Sequence, residues 1–121
     1  MFITNNNAHL PDYGLFTILL QDSIGGLQVR NNQKHWIDAI PLKGSFVINC
    51  GDMLSNWTSG EYASTVHRVV TPSSRTAGDR YSIPFFFNPD ANALVKPLNG
   101  RGEAKRALDL LQSRYDDTFK K

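Results

Sequence analysis

Three histidines, His9, His35 and His67, are the residues of this sequence most open to a chemical role. His67 lies in "STVHRVV", where two-residue alternation sets Thr65, His67 and Val69 on one face of a strand. A lone histidine on a strand is ordinarily structural, but this one has company. Asp12 precedes it in "NAHLPDYG", with His9 three residues before that carboxylate. Arg80 and Ser82 follow in "DRYS" and share a strand face. A planar guanidinium fork beside a hydroxyl suits one end of a carboxylate ligand, gripped by paired hydrogen bonds.

The spacing of the first pair is the difficulty. On a regular strand, residues i and i+2 share a face about 7 Å apart, whereas i and i+3 face opposite ways. His9 and Asp12 converge only if a bulge absorbs the extra residue. Pro11 suits such a place, because it cannot join a ladder and is tolerated at bulges and strand starts. With that bulge, His9, Asp12 and His67 form a metal-ligand set. Two histidines and one carboxylate leave positions open for oxygen and a substrate, the arrangement used by non-haem Fe(II) oxygenases.

The remaining prominent residues have plainer expected roles. Asp52 in "CGDML" is expected to cap the following turn, and Asp22 to close the "SIGG" turn. Cys50, the only cysteine, reads as a small buried apolar residue rather than a nucleophile. Phe85 and Phe87 share one strand face and Phe86 the other; all three are expected in the core, unless one lines the substrate pocket. Trp36 and Trp57 read as core or rim aromatics, and His35 as an exposed hairpin residue.

These side chains need strands to hold them. Residues 14–21, "GLFTILLQ", are a compact apolar run of strand length. "SIGG" turns the chain through Gly25 and Gly26, and "LQVR", "HWIDAI" and "SFVINC" continue as strands. "MLSNWTSG" reads as a short helical turn closed by Gly60. "STVHRVVT" and "RYSIPFFFN" are strands again, with Pro84 placing the latter at an edge or bulge. Beyond residue 101 the period changes, and Ala104, Leu108, Leu111 and Tyr115 mark a C-terminal amphipathic helix over residues 101–121. Short strands followed by one helix predict a mostly β sandwich or jelly roll.

Bulk properties bound the rest. The 121 residues amount to one domain, 1–121, with a loose start over 1–7. A formal charge of +2 and no dense basic run argue against nucleic acid or a membrane surface as partner. The single cysteine suits a reducing compartment, no run reaches the ~20 apolar residues of a membrane span, and the start lacks the pattern of a signal peptide. The expected location is cytoplasmic and the expected partner a small-molecule substrate.

"DYGLFTILLQDSIGGLQV", "GSFVINCGDMLSNWTSGEYASTVHRVV" and "DRYSIPFFFNPD" resemble the C-terminal half of the 2-oxoglutarate/Fe(II)-dependent dioxygenases, in the isopenicillin N synthase-like branch. The likeness runs from Ala8 into "SRYDDTF", most of the chain. It implies a double-stranded β-helix, with iron at one mouth held by Asp12 and His67 and by a histidine preceding Asp12. Arg80 and Ser82 match the pair that grips the far carboxylate of 2-oxoglutarate. The implied reaction is an oxidation of a small organic substrate (hydroxylation, desaturation or ring closure), with release of succinate and CO2.

The pattern departs from the family in two ways. Leu10 stands where the family's first histidine is expected, so His9 enters only through the bulge. The family's usual N-terminal region is also missing from this sequence, which implies a truncated domain with an exposed sheet face that invites a protein partner or self-association. Two other readings follow. One is a non-catalytic remnant or interaction module with a broken metal site. The other is an oxidase using Fe(II) and oxygen alone, against which Arg80 and Ser82 speak, since they would lack a ligand.

Overall fold

A computed structural model describes residues 11–70 and 79–119, without the side chain of Phe119; His9 and the expected loose start over residues 1–7 lie outside the described residues. In chain order the elements are β1 (Phe16–Gln21), β2 (Leu27–Arg30), β3 (Trp36–Asp38), β4 (Val47–Cys50), α1 (Asp52–Trp57), β5 (His67–Val69), β6 (Ser82–Phe87), β7 (Leu94–Val95), β8 (Lys105–Arg106) and α2 (Ala107–Phe119).

The apolar run becomes β1, the centre of an antiparallel sheet ordered β4-β1-β6. A second antiparallel sheet is ordered β3-β2-β5, and β7 pairs with β8. The chain alternates between the two larger sheets: β1 in the first, β2 and β3 in the second, then β4, β5 and β6 in turn. That alternation gives the mostly β, double-stranded β-helix architecture with a C-terminal helix. The switch from β1 to β2 is made by Asp22, whose Oδ1 accepts the Ile24 N–H at 3.0 Å, and by Gly25 and Gly26 at φ 82° and 86°. Only glycine takes such angles cheaply in succession. On β6, Pro84 stands opposite Leu19; the one partner of β6 among the described strands is β1, so the missing N–H costs no ladder bond.

The buried cluster is compact. Leu15, Met53, Val95 and Ala107 form it, with Phe16, Leu54, Leu110 and Leu111 packed around them. It therefore lies where α1 and α2 meet the start of β1, not between the two sheets. This corrects several expectations. Phe85, Phe86 and Phe87 are 59%, 54% and 43% exposed rather than in the core, because they lie on β6, whose one partner among the described strands is β1. On α2 the buried residue is Ala107, with Leu110 and Leu111 against the cluster, while Leu108 and Tyr115 stand exposed. The helix also starts later than residue 101, since Lys105–Arg106 is drawn into pairing with Leu94–Val95. Asp52 caps nothing; Gly51 is the N-cap residue, and the Asp52 carboxylate pairs with Arg114 at 2.5 Å, tying α1 to α2. Cys50 is half-buried, not buried. Among the described residues, no helix is long and apolar enough to cross a membrane.

A close junction lies between the segment leading into β1 and the end of β4. Gly51 N–H donates to Leu15 O at 2.8 Å and Asp52 N–H to Asp12 O at 2.7 Å. A Cβ on Gly51 would collide with the carbonyl of Gly14 and come within 2.9 Å of Asp12 O. Gly51→Ala is therefore expected to lower stability by about 1–3 kcal/mol through overpacking, read as a shifted urea midpoint with an unchanged slope.

Candidate metal centre

Asp12 enters the site from the segment before β1, its backbone held by the Asp52 N–H. Its carboxylate is asymmetric in its contacts. Oδ2 accepts hydrogen bonds from the Thr17 hydroxyl at 2.5 Å and from Asn49 Nδ2 at 2.7 Å. Oδ1 faces His67 Nε2 at 3.8 Å. Thr17 and Asn49 are directly opposite across β1 and β4, so they stand on one face of the sheet.

His67 opens β5 in the other sheet, opposite Val29. Its Nδ1 lies 3.1 Å from Thr65 O. A carbonyl only accepts, so Nδ1 carries a hydrogen and Nε2 is the ring nitrogen turned toward Asp12. This is the orientation that ligating histidines usually show, one ring nitrogen fixed by a backbone acceptor and the other free for a metal. His67 Nε2 and Asp12 Oδ1 lie closer together than twice a metal–nitrogen bond of about 2.1 Å, a separation that one ion could span. Their side chains are 27% and 17% exposed, which leaves the site open to small molecules.

Arg80 lies in the segment just before β6 and is held by the turn that follows β1. Its Nε donates to Gly25 O at 2.6 Å and its Nη1 to Ser82 Oγ at 3.0 Å. Its Nη2 is buried with no partner among the described residues. A buried guanidinium nitrogen without an acceptor costs roughly 1–3 kcal/mol or more, and a carboxylate supplies what it lacks. Ser82 stands opposite Gln21, and Phe86 opposite Thr17, all on the face that carries Asn49.

The structure thus brings Asp12 and His67 together and sets Arg80 beside Ser82. His35 is exposed in the β2–β3 hairpin and away from them. Among the described residues, no three His, Cys, Asp or Glu side chains gather as a metal set. Thr17 and Asn49 are not singled out by sequence reasoning. Their signal is there all the same: each is a polar residue interrupting an apolar strand, in "LFTIL" and "FVINC".

A histidine from one sheet facing a carboxylate before the central strand of the other, with Arg80 set beside Ser82 and its Nη2 partnerless among the described residues, is the candidate site of this double-stranded β-helix protein. Residues 7–89 match the family model described as the 2OG-Fe(II) oxygenase superfamily. The chain is 46% identical over 105 residues to a probable iron/ascorbate oxidoreductase of Dictyostelium discoideum, covering 87% of this chain and 28% of that protein. It is 43% identical over 109 residues to a homoarginine-6-hydroxylase of Glycine max, covering 84% and 32%. Among solved structures it is similar to a full-length Neurospora crassa protein in complex with alpha-KG and thymine, with a TM-score of 0.83 at 36% identity over 91% of this chain and 36% of that one. The chain belongs to the 2OG-Fe(II) oxygenase superfamily, a family that uses Fe(II) and 2-oxoglutarate. It spans about a third or less of the length of these curated relatives.

The hydrogen bond to Thr65 O makes a measurable demand on His67. In nitrogen-15 NMR of the metal-free protein at alkaline pH, the His67 ring is expected as the Nδ1–H tautomer. A dominant Nε2–H form would contradict the orientation described.

Proposed function

We propose that this chain carries the catalytic site of an Fe(II)- and 2-oxoglutarate-dependent oxygenase acting on a small organic molecule. His9, Asp12 and His67 would hold the metal, and Arg80 with Ser82 the far carboxylate of 2-oxoglutarate. The observation that carries the reading is the Asp12–His67 pair, with His67 Nε2 turned to Asp12 Oδ1 while Nδ1 is committed to Thr65. The buried Nη2 of Arg80, partnerless among the described residues, supports the second half, since it asks for an anion where Ser82 also offers a hydroxyl. Fe(II) and 2-oxoglutarate, when bound, supply an oxidant from molecular oxygen, with succinate and CO2 as the other products.

The chain's own residues then have distinct tasks. Arg80 neutralises and orients the keto acid's distal end by charge-assisted hydrogen bonds. Phe86, 54% exposed on the face that bears Thr17 and Asn49, offers an apolar wall against which an organic substrate can rest. The outer face of the β4-β1-β6 sheet, with Ile48, Phe85 and Ile83 at 58%, 59% and 67% exposure, supports a polypeptide partner or self-association on that side.

The test is anaerobic addition of Fe(II) and 2-oxoglutarate, followed by the weak visible metal-to-ligand band and, on admitting oxygen, by succinate. His9→Ala is expected to reduce succinate to background. Arg80→Lys is expected to weaken 2-oxoglutarate by about 1.5–3 kcal/mol, seen as a higher concentration needed to develop the band. Leu10, two residues before Asp12, favours the alternative of a non-catalytic remnant; folded protein that gives neither band nor succinate would establish that alternative. Association on the apolar face is expected to rise with concentration in sedimentation velocity, and to fall in Ile48→Lys.

A further inference from the structure

We propose that Thr17 and Asn49 are positioning residues that tie one oxygen of Asp12 so that the other alone is presented to the metal. The inference rests on the reading of Asp12 and His67 as metal ligands.

A carboxylate only accepts hydrogen bonds, so both neighbours are compelled to donate. Thr17 gives its hydroxyl hydrogen at 2.5 Å, and Asn49 must turn its amide nitrogen inward, at 2.7 Å. Both donors meet the same oxygen, Oδ2. Among the described residues, Oδ1 faces only His67 Nε2. The terminal torsion of an aspartate is broad and roughly two-fold. Left unrestrained, Asp12 could swing or close on an ion through both oxygens and consume a position that oxygen or the keto acid needs. Two donors from two strands remove that freedom.

The donors are placed by register. Thr17 and Asn49 are direct partners across β1 and β4, and Asp12 reaches them from the segment that Asp52 N–H and Gly51 hold against the sheet. Thr17 is 4% exposed inside an apolar run, where its hydroxyl has this carboxylate as its acceptor. A buried hydroxyl in such a strand is destabilising unless satisfied, so the pair is selected by mutual need. Neither side chain touches the metal position itself. Their effect would pass through Asp12, as outer-shell partners of ligating groups commonly do.

The test uses the full chain and Co(II) alone, without 2-oxoglutarate, and reads both the dissociation constant and the visible d–d spectrum, which reports coordination number. Thr17→Val and Asn49→Leu keep shape and remove the donors. Each is expected to bind Co(II) about 10- to 100-fold more weakly with a changed d–d spectrum, and Thr17→Ser to restore both toward wild type. If Thr17→Val does not fold by circular dichroism, Asn49→Ser, too short to reach Oδ2, gives the same reading. Folded variants with wild-type affinity and spectrum would overturn the proposal. A wild-type chain that binds no Co(II) would overturn the metal reading itself, and this one with it.

Discussion

The site depends on a backbone contact before it depends on any side chain. Where β4 ends, Gly51 lies directly against Asp12 and Gly14, and three successive N–H groups, from Gly51, Asp52 and Met53, donate to the start of β1. No side chain can be placed at Gly51 without separating those strands. The contact does two things at once. It fixes the carbonyl of Asp12, which sets where the carboxylate emerges, and it delivers Met53, 1% exposed, into the buried cluster. Core and candidate ligand are therefore coupled through a few backbone atoms.

A second joint sits at the other end of β1, in the turn over residues 22–26. Asp22 Oδ1 binds the Ile24 N–H and its Oδ2 the Tyr81 N–H, so one carboxylate closes the turn and docks the approach to β6. Gly25 O receives Arg80 Nε, and Gly26 O receives the Val70 N–H just past His67's strand. One short turn thus holds the guanidinium through Gly25 O and the end of His67's strand through Gly26 O, while Asp22 closes the turn and docks Tyr81. Two consecutive left-handed glycines make that possible, because they turn adjacent carbonyls outward to different partners.

Much of this was readable in the sequence, and the reason lies in local chemistry. The apolar run "LFTILL", the paired glycines and Pro84 each impose their own backbone, and each element appears where those residues demand it. Arg80 and Ser82 do meet, but not by sharing a strand face: β6 begins at Ser82, and Arg80 reaches the hydroxyl from the segment before the strand. What escaped is what depends on distant partners. Asp52 reads as a cap by position, but Arg114 on α2 takes its carboxylate. Residues 101–106 have helical composition, yet Lys105–Arg106 pairs as a strand because Leu94–Val95 offers a ladder. Phe85 and Phe87 read as core because three consecutive phenylalanines suggest burial, while the fold turns both outward. Thr17 and Asn49 became meaningful only once register set them side by side.

The outward phenylalanines connect to the site through the pleat. Along β1, β4 and β6, Thr17, Asn49 and Phe86 form one cross-strand row, and Ile18, Ile48 and Phe85 form the next, pointing the opposite way. The candidate site and the apolar face that the described residues leave exposed are thus two sides of the same three strands, one residue out of phase. A strand row is stiffened by cross-strand contacts on either side, and apolar surface left in water favours whatever motion or association reduces it. Polypeptide laid over Ile48, Ile83 and Phe85 would restrain the strands that carry Thr17 and Asn49, and with them the orientation of Asp12. Covering the outer face and ordering the candidate site are in that sense one physical task.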